Sequence, residues 1–227
     1  MLDIKVACEN AIIIYLGNQI AEQQVEEITF FTALLKQELG SVIIDIVPSY
    51  TSIMLSYRLD KISPAMLCKQ ITTLIENNTM MIKMNQNTLL EIPVLYDADV
   101  GLDLDEYLHE KSLNLETLIK LHTERDYLVY AVGFSPVFAY LGTVEPRLAT
   151  PRLETPRVKI PAGSVGIADN QTAVYPISSS GGWRIIGRTP LDLSLANPDN
   201  INLFKVGDKV RFRPIQLAEF LALGGEI

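Results

Sequence analysis

The sequence predicts an α+β protein, a small N-terminal α/β sandwich domain followed by a mainly β domain. Three observations carry that expectation. Apolar residues recur at helical spacing twice in the first third of the chain, each time beside β-branched runs. After Ser135 no helical period is sustained, and Pro and Gly punctuate short β-branched stretches down to Pro214. Between these regimes residues 83–88 are polar, which divides the chain into residues 1–85 and 88–227. A chain of 227 residues is long enough for two such units, each burying a core without cross-links.

In order, residues 4–16 read as a strand region around Ile12, Ile13 and Ile14. Ile20, Val25, Ile28, Phe31, Leu35 and Leu39 then recur at helical spacing over 19–39, with Gly40 expected as a left-handed C-terminal cap. Val42–Val47 is a strand stopped by Pro48, and Ser52–Tyr57 is its neighbour. Ser63 caps, and Pro64 opens, a helix running to about Asn77. Leu89–Tyr96 is a strand whose Pro93 marks an edge or a bulge. Asp103–Lys111 and Asn114–His122 are short helices, the second capped by Asn114, and Tyr127–Phe134 is a strand. The β-rich remainder reads as a barrel or closed sandwich, with a short helix over Leu217–Leu223 ended by Gly224-Gly225.

Charge is unevenly placed. Residues 1–130 hold 9 Lys+Arg against 19 Asp+Glu, and residues 131–227 hold 10 against 8. A formal charge of −8 argues against a sequence-independent duplex-DNA binder, so no nucleic-acid partner is expected. The apolar run Ala11–Leu16 is far short of the ~20 residues a membrane helix needs, and no cationic leader precedes it. Cys8 and Cys68 are too few for a disulfide framework and are expected as buried, reduced thiols, which favours the cytoplasm. His109 and His122 are the only histidines and no metal-ligand spacing exists, so no metal site is expected.

Four stretches concentrate chemistry. In GFSPVFAYLG (133–142), Phe134, Pro136 and Tyr140 form either an apolar ligand wall or a cap on the β domain. In PRLATPRLETPR (146–157), three stiff Pro-Arg steps space Arg147, Arg152 and Arg157 five residues apart. They make either an anion-binding or docking edge, or a solvated loop paired with Glu145 and Glu154. In PAGSVGIA (161–168), Gly163 and Gly166 allow close backbone approach, while Ser164, Gln171 and Thr172 offer neutral hydrogen-bonding groups. The stretch has no GxxxxGK[ST] phosphate loop. In SSSGGWRIIGRTP (178–190), Trp183 is either a core anchor or a pocket wall beside Arg188. His122 is likewise open between a structural and an acid/base role.

Taken in order, GFSPVFAYLG, RLATPRLETPR, IPAGSVGIADNQTAVYP, GGWRIIGRTP and the closing GDKVRFRPI resemble one family. It comprises the B subunit of bacterial 5-oxoprolinase, the Kip inhibitor of a sporulation histidine kinase, and subunit 1 of allophanate hydrolase. Val47-Pro48-Ser49-Tyr50 and Leu121-His122-Thr123 extend the resemblance over nearly the whole chain. It implies a cyclophilin-like β-barrel for residues 88–227, without prolyl isomerase activity. It also implies a role in ATP-dependent hydrolysis of 5-oxoproline to glutamate with the A and C subunits of that enzyme. The chain would be inactive alone, with ATP bound by the complex at a component left unassigned. The alternatives are a Kip-type inhibitor of histidine kinase autophosphorylation and allophanate hydrolase subunit 1; homo-oligomerisation is left open. On this resemblance His122 and Arg188 are the catalytic candidates. Phe134, Pro136, Tyr140, Arg147, Arg152, Arg157, Ser164, Gln171, Thr172 and Trp183 are the ligand-binding candidates. The chain departs from the family pattern at Val137, Asp169 and Ala173, where Gly is usual, and at Ser180, where Pro is usual.

Overall fold

The computed structural model describes residues 2–78 and 88–227, in two compact units, Met1–Asn87 and Thr88–Ile227. The expected polar boundary falls largely on residues outside the described ones.

Among its described residues the first unit holds four antiparallel strands, ordered β1-β2-β4-β3, and two helices. The expected single strand region is a hairpin, β1 (Asp3–Cys8) and β2 (Ala11–Tyr15), because the polar Glu9-Asn10 pair turns the chain between them. Helix α1 (Glu22–Leu39) buries Val25, Ile28, Phe31, Leu35 and Leu39. Gly40 does not take the left-handed cap expected of it: it stays right-handed at φ −56°, and Val42 N–H closes the turn onto Leu39. β3 (Ile43–Ser49) runs through Pro48, which sits in register with Ile53 of β4 (Ser52–Tyr57) instead of ending the strand. A proline is tolerated where the ladder does not call on its missing N–H. Helix α2 (Pro64–Asn78) starts behind Ser63, whose hydroxyl accepts from Met66 N–H at 3.4 Å. Cys8 is exposed, contrary to the expected burial, because β1 turns nearly all its residues outward; Cys68 is half-buried, and both are free.

The second unit is mixed helix and sheet, mostly antiparallel. Its strands are β5 (Leu89–Val94), β6 (Tyr127–Val132), β7 (Ala139–Gly142), β8 (Arg157–Ile160), β9 (Ser164–Ala168), β10 (Gln171–Val174), β11 (Ser179–Gly181), β12 (Arg184–Arg188) and β13 (Lys209–Pro214). Its helices are α3 (Leu104–Lys111), α4 (Leu115–Thr123) and α5 (Leu217–Ala222), and Asn114 caps α4 by accepting from Thr117 N–H at 2.8 Å. The ladders run β5-β13-β6-β7-β10-β9-β12, with β5-β13 the parallel pair, while β8 and β11 form a separate ribbon. No continuous ladder closes this path among the described residues; the two ends meet at one bridge, where Leu95 and Arg188 exchange two backbone hydrogen bonds of 2.9 Å. The core gathers Ile92, Tyr127, Val129, Leu141, Ile167, Ile186 and Phe212.

Candidate functional site

The expected site residues fall into three groups in the second unit. The first surrounds His122, on the last turn of α4 and fully buried. Its imidazole stacks on Phe212 with ring centroids 4.5 Å apart. Its Nδ1 lies 2.7 Å from the Tyr96 hydroxyl and its Nε2 lies 2.9 Å from Thr172 Oγ1. Thr172 donates its own proton to the Gly166 carbonyl at 3.0 Å, so it accepts from His122. That assigns the tautomer: Nε2 carries the hydrogen, and Nδ1 accepts from Tyr96. Burial pushes the imidazole down to about 3, so it stays neutral with both nitrogens engaged. Sealed and neutral, with both nitrogens bonded, the imidazole ties α4, β10 and the Tyr96 segment together. Thr172, equally buried, belongs to the same bridge.

The second group is the Pro-Arg segment and the aromatics beneath it. The segment is pinned at three points. Thr150 and Asp169 exchange backbone hydrogen bonds, Leu153 N–H donates to Gly182, and Arg157 forms a bidentate pair with Asp103 at 2.9 and 2.5 Å. Asp103 is buried at the start of α3 and also accepts from Ile185 N–H at 2.7 Å. Arg157 is therefore committed to the fold and is not a free anion site. Asp103 does not stand out in the sequence, because an acidic helix start reads as a solvated face; only its burial reveals the role. Arg152 reaches over the Trp183 ring at 5.9 Å, with Nε 3.8 Å from the Asp169 carboxylate. Trp183 is a core anchor, packed edge-on against Phe138, which also touches Phe134, Tyr140 and Tyr175. Phe138 is the hub of this cluster, and the expected ligand wall is largely a buried aromatic core, with Phe134 and Pro136 exposed at its rim. Two of the departures from the glycine pattern stand on left-handed backbone: Val137 has φ +67° and Asp169 φ +53°, as does neighbouring Phe134 at +70°. Ala173 is buried within β10, and Ser180 lies exposed in β11.

The third group lies around Arg188. Its half-buried guanidinium donates from Nη1 to the Glu226 backbone carbonyl at 3.0 Å, while Nε is buried without a hydrogen-bond partner. Burial lowers its proton affinity, though a guanidinium stays charged. Directly across the β9–β12 ladder, the Ser164 hydroxyl is also buried without a partner. A groove of about 300 Å³ is lined here by Gly163, Arg188, Thr189, Asp192, Phe220 and Glu226, among others. Gly163 has φ +78°, and a Cβ there would lie 2.5 Å from the Thr189 carbonyl, so glycine is required. Most other arginines of the unit face carboxylates: Arg184 meets Glu106 and Glu110, Arg211 meets Asp126, and Arg213 meets Glu91 and Glu219. Arg147 is exposed to solvent, and Gln171 is half-buried in register with Gly142 and Ala168.

The order of helices and ladders is that of a carboxyltransferase-type fold. Residues 2–204 match the carboxyltransferase domain, subdomain C and D, and the chain belongs to that family. It is 34% identical to the 5-oxoprolinase B subunit of Bacillus subtilis (strain 168), over 94% of this chain and 93% of that protein. Among solved structures it is similar to TTHA0988, with TM-score 0.78 and 30% identity over 91% of this chain. The chain spans 40% of that longer protein's length. The urea carboxylase of Kluyveromyces lactis shares the fold at 15% identity and TM-score 0.72, over 97% of this chain and 22% of its own.

Proposed function

We propose that the chain is the B subunit of a 5-oxoprolinase, the hydrolase that opens 5-oxoproline to glutamate, working with the A and C subunits. The observation that carries this reading is the 34% identity to a 5-oxoprolinase B subunit across nearly the whole of both chains. The lactam amide is stable, so ring opening needs activation, which ATP supplies in the complex. The Gly163 turn does not fit as a phosphate cradle. The amides of Gly163, Ser164 and Thr189 already donate to the carbonyls of Tyr175, Pro161 and Gly163, and we assign ATP to another component of the complex. Arg188 is the residue we assign to the substrate anion, since its guanidinium lines the groove and bonds only a backbone carbonyl among the described residues. His122 and Thr172 hold the framework of the unit. On this reading the chain alone has no turnover. The second unit is a cyclophilin-like barrel closed at the Leu95–Arg188 bridge, and the protein works in the cytoplasm. No helix of the described residues is long and apolar enough to cross a membrane.

The test is co-expression with the A and C subunits and an ATP-dependent assay of glutamate release from 5-oxoproline. Glutamate at background level in the assembled complex overturns the reading. Slow amide hydrogen exchange at Leu95 and Arg188 is expected of a closed barrel, and rapid exchange there overturns the closure.

A further inference from the structure

The Arg188 groove has one wall that is unlike the rest. Helix α5 ends at Ala222, and Gly224, at φ +89°, turns the chain back, with its N–H donating to Leu221 and that of Gly225 to Phe220. The returning segment places the Glu226 carbonyl on Arg188 Nη1. A neutral carbonyl is a weak match for a guanidinium, whose fork suits two parallel bonds to a carboxylate. It leaves the Nη1–Nη2 fork without the carboxylate that fits it, and Nε beside it is buried without a partner. Asp192 also lines the groove, and hydrogen bonds from Ser194 favour its charged form. A carboxylate at that position repels a phosphate or a nucleotide, but accepts an N–H from a ligand held by Arg188.

We propose that this groove binds a small carboxylic acid bearing an N–H, an amino acid or its lactam, and that the Gly224–Glu226 strap competes with it for Arg188. The ligand carboxylate takes the end-on fork of Nη1 and Nη2 in place of the Glu226 carbonyl, so the strap governs access to the site. The choice of 5-oxoproline as the probe rests on the 5-oxoprolinase reading; the strap does not.

The test is calorimetric titration of the full chain with 5-oxoproline and, separately, with inorganic phosphate. Binding of 5-oxoproline is expected to weaken at least tenfold in Arg188→Gln and to recover in part in Arg188→Lys, with unfolding curves showing that both variants fold. In Gly225→Ala a Cβ would lie 2.4 Å from the ring of fully buried Phe220, and the largely exposed strap is the side free to give, so affinity should rise several-fold. Unchanged binding in Arg188→Gln, no binding by either wild type or Gly225→Ala, or tighter binding of phosphate than of 5-oxoproline overturns the site. Unchanged affinity in Gly225→Ala overturns the strap. Arg188-dependent binding in a chain whose assembled complex makes no glutamate keeps the site and removes the 5-oxoprolinase reading. Glutamate release unimpaired by Arg188→Gln does the reverse.

Discussion

His122 ties stability to pH through a proton it refuses. The unfolded imidazole titrates at its ordinary value of 6.5, whereas the folded one is held at about 3. Between those values the unfolded state binds more protons, so stability rises with pH across the window and levels off above about 6.5. The slope attributable to one such group approaches about 1.4 kcal/mol per pH unit. Denaturant titrations between pH 5 and 6.5 should show it in the wild type, and His122→Gln should flatten it. Val137 makes a second prediction at this scale. A left-handed β-branched residue is strained by about 1–2 kcal/mol, yet this one is buried in the core. Glycine relieves the strain and alanine largely does not, so Val137→Gly should destabilise less than Val137→Ala, the reverse of the order for a strand valine. The motif pattern marks both Val137 and Asp169 as replaced glycines, whereas the sealed partners of His122 are illegible in the sequence. Tyr96 and Thr172 lie 26 and 50 residues from it in the chain, and only the fold brings them together.

At the scale of elements, the Asp103–Arg157 pair clamps the Pro-Arg segment to α3 and β12. Removing the buried carboxylate strands a partly buried guanidinium and the Ile185 N–H. Asp103→Ala should therefore cost about 3 kcal/mol in unfolding free energy. Glu106→Ala, which removes one exposed partner of Arg184, should cost less than about 1 kcal/mol in the same experiment. The helices are legible from period or caps: α1 buries Val25, Ile28, Phe31, Leu35 and Leu39, which its spacing selects, and Ser63-Pro64 and Asn114 mark the starts of α2 and α4. The misreadings sit where a local cue meets a tertiary override. Pro48 reads as a stop but lies inside β3, and Gly40 reads as left-handed but stays right-handed. The arginine spacing marks a structured segment, yet spacing is silent on partners. One of its three arginines is spent on Asp103, while the open groove lies at Arg188.

For the whole molecule, each unit carries its own core, and residues 88–227 expressed alone are expected to unfold cooperatively and to keep the pH dependence set by His122. A fragment that melts without a transition would refute that. Within this unit the order of ladders has a consequence for synthesis. β5 opens the unit, but its ladder partner is β13, which is nearly the last element made and also pairs with β6. A ribosome can release a complete first unit while the second still lacks the strand that joins its beginning to its middle. The nascent β5 waits unpaired through more than a hundred residues of translation, so a stalled or prematurely terminated chain exposes this strand to other proteins in the cell.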